Sequence, residues 1–301
     1  MKEEEIIVLL SSYNGEKYIE EQIETILAQE GVVVKLFVRD DGSNDRTPQI
    51  LERYKKEGKL DYYVGENLGW RNSFMRLVVD APDGDYYAFA DQDDHWLPEK
   101  LKKAVECMKT MPRGPQLYNS NGSLWKDGEI VGKVSTIKPE LNRFARFINP
   151  LGQGSTQVFN RDMQLLVKKH IPQIEVPHDA WFARLAILLG GYHYDYNSYI
   201  LYRQHDNNQI GADTNSKERL HTRFKKYASI SKLHYLDIVA KEMIKCYGDI
   251  MDKESYQICY TIANYREKAS CTLRLLLSPN YKCDNWLQTF GFRYRVLMRM
   301  I

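Results

Sequence analysis

The chain has 301 residues, 43% hydrophobic and 27% charged, with a net charge of +2; this describes an ordinary globular protein, large enough for one domain with an appendage. Its apolar runs, such as "IIVLL" (6–10) and "LAILLGG" (185–191), are too short to cross a bilayer, and the opening "MKEEE" is acidic where a secretory signal would be basic. Five cysteines without a CxxC pair exclude a zinc ribbon and a disulfide frame, and point to reduced thiols in a cytosolic protein.

The first hundred residues alternate strand and helix patterns. "IIVLL" reads as a buried strand ending at polar "SSYNG". A helix follows from about Glu16, with Ile19, Ile23, Ile26 and Leu27 on one face. "VKLFV" (34–38) is the next strand, broken by "RDDGSND"; Thr47 as N-cap and Pro48 in the first turn open a helix through Tyr54. "DYYV" (61–64) is a strand, "WRNSFMRLVVDA" (70–81) a helix, and "DYYAFA" (85–90) a strand that runs into "DQDDHW". Pro98 starts another helix, to about Lys109. The middle gives a strand entering a helix (155–163), a helix stopped by paired glycines (178–191) and a Tyr-rich strand (192–205). Beyond Ser216 the pattern is helical, near 217–247, 253–277 and 285–300.

Such alternation implies right-handed crossovers and a mainly parallel sheet, whose ligands bind outside the carboxyl ends of its strands. Three polar loops leave those ends, at 11–15, 40–45 and 91–95, so topology alone brings them to one rim. In the third loop Asp91, Asp93 and Asp94 repel one another, and a divalent cation carrying a diphosphate would compensate them. Such a site needs hard oxygen ligands, with few protein carboxylates and positions left for phosphate and water. In the second, Asp40-Asp41-Gly42-Ser43 offers a carboxylate to the imide N–H of uracil or thymine, although the same four residues also suit a plain Asx turn.

Taken in order, "LLSSYNGEKYIEEQIETILAQ", "VRDDGSNDRTPQIL", "ENLGWRNSF" and "FADQDDHWLPEKL" resemble the nucleotide-sugar half of family 2 glycosyltransferases, inverting enzymes of α/β GT-A fold. "GSTQVFNRDM", "HDAWFARLAILLGG" and "LYRQHDNNQIG" resemble the bacterial rhamnosyltransferase branch of surface-polysaccharide assembly. The likeness spans about residues 5–211. It implies a GT-A catalytic domain over 1–215, with a nucleotide-sugar half to about 110 and an acceptor half after it, followed by a helical region over 216–301.

The resemblance also implies roles. Ser11 and Asp41 match nucleobase contacts, with Asp40 beside them; Asp91 matches the ribose-contacting acid and Asp93 the metal-binding one. Asp179 in "HDAW" matches the catalytic base, and His205 in "YRQH" a position near pyrophosphate and metal, with Arg203 close by. Asn67, Gly69 and Arg71 would line the donor site. His178 would orient the base or cap its helix, while His95 and His193 read as structural. The implied cofactor is Mg²⁺ or Mn²⁺. The implied donor is dTDP-rhamnose, with a UDP-hexose as alternative, and the acceptor a saccharide or a polyprenyl-diphosphate-linked saccharide. A metal-dependent phosphohydrolase and a non-catalytic sugar-nucleotide-binding protein are the readings from other classes.

From Lys217 onward 16 Lys/Arg stand against 8 Asp/Glu, which leaves −6 for the first 216 residues. In "FGFRYRVLMRMI" (290–301), Phe290, Tyr294, Leu297 and Ile301 share one helical face, with Arg295 and Arg299 opposite. This suits contact with anionic lipid on the inner face of the plasma membrane, and equally packing on the body or on a second subunit. No nucleic-acid partner is expected, because basic and aromatic residues interleave only in this tail.

Overall fold

The computed structural model describes residues 3–136, 142–204 and 235–301. The chain opens β1 (Glu4–Ser12), α1 (Ile19–Leu27), β2 (Val32–Asp40), α2 (Thr47–Lys56), β3 (Leu60–Val64), α3 (Gly69–Asp80) and β4 (Tyr86–Ala90), which is the alternation expected. It continues with β5 (His95–Trp96), α4 (Lys100–Met108), β6 (Leu117–Lys126), β7 (Glu129–Lys133), α5 (Arg143–Ile148), a 3₁₀ turn (Gly154–Thr156) and β8 (Gln157–Asn160). Then come α6 (Arg161–Lys169), α7 (His178–Leu189) and β9 (Tyr192–Arg203). The C-terminal helices are α8 (Tyr235–Tyr247), α9 (Lys253–Ala263), α10 (Ala269–Leu277) and α11 (Trp286–Leu297).

Among the described residues one sheet runs β3-β2-β1-β4-β8-β6-β9-β5, with β7 paired to β6. Its first four strands are parallel, as the crossovers require. Beyond β4 the sheet is mixed: β8 enters antiparallel between β4 and β6, while β6 and β9 are parallel neighbours. The alternation rule covers the first half only, because β8 pairs antiparallel with both β4 and β6, an arrangement that β-α-β crossovers do not produce.

Burial follows the sequence pattern. Residues 6–10 of β1 are inaccessible, since helices cover both faces of the sheet there. Each such Ile, Val or Leu contributes about 1.5–3 kcal/mol when buried. Ile19, Ile23 and Ile26 of α1 join Val8, Leu10 and Val38 in one core, on the face that also takes α2 and α4. The opposite core packs α3, α6 and α7 with Ile7, Leu9 and Phe89, and continues without a break into α8–α11 through Val239, Met243, Ile262, Phe292 and Val296.

Three local expectations change. Thr47 is the first residue of α2 and not its cap: the Asp45 carboxylate accepts its N–H at 2.9 Å, while its own hydroxyl accepts the Gly15 N–H at 2.8 Å. The helix expected over 253–277 is two, broken at Asn264–Lys268. Ile301 leaves the α11 face: it is buried, and its carbonyl accepts the Tyr265 hydroxyl at 3.0 Å. None of the five cysteines is paired. No helix among the described residues is long and apolar enough to cross a membrane. The expected boundary near residue 215 lies outside the described residues.

Candidate active site

The three loops meet, and particular side chains hold them together. The Asn14 N–H donates to the Ser43 hydroxyl at 2.8 Å, and its side-chain oxygen accepts the Asn44 N–H at 2.9 Å. The Glu16 N–H reaches Asp45 at 3.0 Å. From the third loop, Gln92 brackets the Tyr13 peptide, accepting its N–H at 2.9 Å and donating to its carbonyl at 3.1 Å. Glycine at position 15 leaves room for this bracket, since a Cβ there would lie 2.3 Å from the Gln92 side-chain oxygen and push it aside. Gln92, unassigned by the sequence reading although it sits inside the acidic motif, therefore fixes the rim.

The second loop is organised around two buried carboxylates. Asp40 accepts the Ser12 hydroxyl at 3.1 Å and the Ser43 N–H at 2.9 Å, which closes the turn. Asp41 pairs with the buried Arg39 and accepts the backbone N–H groups of Leu68 and Gly69, each at 2.9 Å. It thus caps the start of α3 from another loop, where the helix dipole favours a negative charge. The Asx-turn reading holds for Asp40. For Asp41, three donors occupy a carboxylate that can accept about four, which leaves one direction for a ligand. Asn67 accepts the Gly69 N–H at 3.2 Å, and Arg71 reaches across to Glu175 at 2.9 Å, tying α3 to the approach of α7.

The third loop gathers the acids. Asp91 is pushed up to about 7, first by burial and then by the charges of Asp93 and Asp179; Ser155 works the other way. Asp94, almost inaccessible, is raised well above the ordinary aspartate value by burial and by the charges of Asp91 and Asp93. Lys100, buried against Trp96 at 3.6 Å, is lowered to about 7 by burial, with Asp94 opposing. The structure therefore brings Asp179, from the start of α7, within electrostatic reach of Asp91, more than eighty residues away in sequence. Burial raises Asp179 as well, while the Ala180 N–H and the Arg184 charge pull it down.

Arg203, at the end of β9, donates to the Asp93 carbonyl at 2.9 Å and to Glu21 at 2.6 Å, with its guanidinium lying over Tyr18 and Trp125. It thus stands beside the third loop. His205 lies outside the described residues. His178 makes neither of the bonds expected of it: Pro177 is the N-cap of α7 without a side-chain bond, and among the described residues neither imidazole nitrogen has a hydrogen-bond partner. Instead the ring stacks on Phe74 at 4.1 Å, meets the edge of Phe89 at 4.7 Å, and is held neutral, its pKa lowered to about 3 by burial. His95 pairs with Glu21 at 3.1 Å and His193 stacks on Tyr118 at 5.8 Å, both structural as expected.

The donor set fits a hard divalent cation. It offers carboxylate oxygens, one of them, Asp94 Oδ2, buried and without a hydrogen-bond partner among the described residues, and its mutual repulsion would be relieved by positive charge. Among the described residues no group of three His, Cys, Asp or Glu could hold a metal unaided. The arrangement therefore suits an ion that takes most of its ligands from a diphosphate and water.

Residues 7–166 match the family model for glycosyl transferase family 2. The chain is 31% identical over 228 residues to the dTDP-rhamnosyl transferase RfbG of Shigella flexneri, covering 70% of this chain and 76% of that one. A putative teichuronic acid biosynthesis glycosyltransferase of Bacillus subtilis, TuaG, is 33% identical over 105 residues, 34% of this chain and 41% of its own. Among solved structures, S. aureus TarS (1–349) in complex with UDP-GlcNAc superposes with a TM-score of 0.58 at 18% identity, over 98% of this chain and 82% of that one. The Pyrobaculum calidifontis mannosyltransferase PcManGT, in complex with GDP-Man and Mn²⁺, gives 0.51 at 14% identity, over 99% and 87%.

Proposed function

The chain belongs to glycosyl transferase family 2 and is a glycosyltransferase; within that family we propose that it moves rhamnose from dTDP-rhamnose to a lipid-linked saccharide by a metal-dependent, inverting displacement. The observation that supports this reading is that the Asp179 and Asp93 charges both act on Asp91, which would set a base beside the place where a diphosphate would be held. Donor choice draws its support from RfbG, a dTDP-rhamnosyl transferase whose similarity covers 70% of the chain. A UDP-hexose is the second reading, favoured by the TarS complex with UDP-GlcNAc.

In this reading the acceptor hydroxyl gives its proton to the Asp179 carboxylate as its oxygen bonds to the anomeric carbon. The bond from that carbon to the diphosphate oxygen breaks in the same step, so the configuration inverts. The raised pKa of Asp179 makes it a stronger base than a solvated aspartate. Asp91 would hold the ribose, while Ser11 and Asp41 would read the base, with Asp40 shaping their loop. Asn67, Gly69 and Arg71 would border the donor. Asp93, with His205, would hold Mg²⁺ or Mn²⁺, which takes up the charge that develops on the leaving diphosphate. Arg203, oriented by the Asp93 carbonyl and Glu21, would add a fixed positive charge beside it.

The acceptor side draws support from α10 and α11. Trp286 (79% exposed), Leu287, Phe290 (66%), Tyr294 and Leu297 stand in solvent along α11, with Leu273 and Leu277 on α10. Arg274, Lys282, Arg293, Arg295 and Arg299 belong to the same segment, against Asp284 alone. In the reading this face rests on the anionic inner surface of the plasma membrane, where a polyprenyl-diphosphate-linked saccharide would be met.

The test is nucleotide release from dTDP-rhamnose and UDP-glucose, with Mn²⁺ and a polyprenyl-diphosphate-linked saccharide. Acceptor-dependent dTDP release with an inverted product supports the proposal. Release of UDP alone replaces the donor, and phosphate release from a simple phosphomonoester would turn the reading to a hydrolase.

A further inference from the structure

Between Ser11 and Asp41 runs a continuous chain of hydrogen bonds through two residues to which neither motif nor resemblance gives a role. The Ser11 and Ser73 hydroxyl oxygens are 2.6 Å apart. Ser73 Oγ accepts from Arg39 Nη1 at 2.9 Å, and the same guanidinium pairs with Asp41. Arg39 Nη2 donates to the Glu66 carbonyl at 2.8 Å. Arg39 and Asp41 are each 2% exposed and Ser73 is inaccessible. The slot is shaped for this guanidinium, since a Cβ on Gly65 would lie 2.5 Å from Arg39 Nη2.

The direction of the bonds gives the chain a polarity. A guanidinium only donates, so Ser73 Oγ is an acceptor toward Arg39, and its single proton is left for Ser11. Ser11 then accepts from Ser73, which leaves the Ser11 O–H to donate outward. The Asp41 carboxylate, held by Arg39 and by the Leu68 and Gly69 N–H groups, is the acceptor at the other end. One donor and one acceptor are thereby set at the two ends of the same chain of bonds. The complementary edge is an N–H next to a C=O, as in thymine and uracil; cytosine presents the reverse pair.

We propose that Arg39 and Ser73 are positioning residues that set this polarity and so make the donor site selective for an imide base. The proposal rests on the reading of Ser11 and Asp41 as nucleobase contacts. Lysine cannot replace Arg39, because an ammonium lacks the planar fork that reaches Ser73, Asp41 and the Glu66 carbonyl together.

The test is calorimetric titration of the whole chain with dTDP, CDP and inorganic pyrophosphate, each with Mn²⁺. Wild type should bind dTDP about tenfold or more tighter than CDP, the scale of one lost hydrogen bond to a charged group. Ser73→Ala frees the Ser11 hydroxyl to turn, so the dTDP-to-CDP ratio should shrink while pyrophosphate binding stays the same. Arg39→Met and Arg39→Lys should both lose dTDP affinity, and donor KM should rise with little change in kcat. If Arg39→Met fails to fold, Ser73→Ala decides alone. An unchanged ratio in Ser73→Ala, or a parallel loss of pyrophosphate binding, overturns the proposal. Asp41→Ala separates the two levels: if it too binds dTDP as wild type does, the base-site reading itself fails.

Discussion

Replacing His178 by leucine should change how stability responds to acid, by an amount that follows from its burial. The imidazole lies between Phe74 and Phe89 with neither nitrogen bonded, and its pKa falls to about 3 from the ordinary 6.5. In the native state it therefore stays neutral down to about pH 3, whereas the unfolded chain takes up a proton below 6.5. Between those limits the unfolded state binds more protons, so acidification favours unfolding. At about pH 5, some 1.5 units below the unfolded value, the loss is about 2 kcal/mol. Urea denaturation of wild type and His178→Leu at about pH 8 and about pH 5 measures it. The packing cost of the substitution cancels in the pH difference, as do Asp91, Asp94 and Asp179, which titrate in both proteins. Wild type should lose about 2 kcal/mol more than the variant on acidification. Equal losses would show that the ring is hydrated or charged in the native state.

Asp179→Asn should lower kcat by about 10²–10⁴, the range of a lost general base, with nucleotide affinity largely kept; a fall in affinity alone would make Asp179 a binding residue. Because burial raises its pKa, and only the deprotonated form takes a proton, kcat should fall on the acid side at a pH above the ordinary 3.8 of aspartate. A pH–rate profile flat to below that value would contradict this. Deleting residues 285–301 is a poor test of membrane contact, since Phe292, Val296 and Ile301 are core residues. Leu287→Ser with Phe290→Ser instead removes exposed side chains, and should reduce sedimentation with anionic vesicles while leaving neutral vesicles and thermal stability unaffected. If the pair instead alters oligomeric state, the face meets a second subunit.

What was legible in the sequence was whatever a local period or a short motif encodes. The β1-to-β4 alternation could be read from apolar runs and turn residues, and the convergence of the three loops followed from the handedness of crossovers. The antiparallel entry of β8 could not, because strand pairing between distant segments leaves no local period. Asp41 stood out in the sequence as a loop carboxylate at a strand end, but its partners did not. Arg39 follows the apolar "LFV" directly, and a charged residue at the end of a buried strand is the signal that could have found it. Ser73 offered none, since a lone serine within a helical pattern carries no mark of its partners. The reading of His178 as cap or orienter assumed that a polar side chain beside a base must bond to something, and the aromatic surroundings that make it neutral come from α3 and β4, far away in sequence.

The central claim, a cation-dependent site for a thymidine diphosphate sugar at the Asp91–Asp93 rim, is tested most directly by calorimetry. dTDP-rhamnose, UDP-glucose and dTDP would each be titrated with and without Mn²⁺ into wild type and Asp93→Ala. The account predicts Mn²⁺-dependent binding of dTDP-rhamnose that is lost in Asp93→Ala. Binding that ignores both the cation and Asp93, or no nucleotide binding in the presence of Mn²⁺, would contradict it.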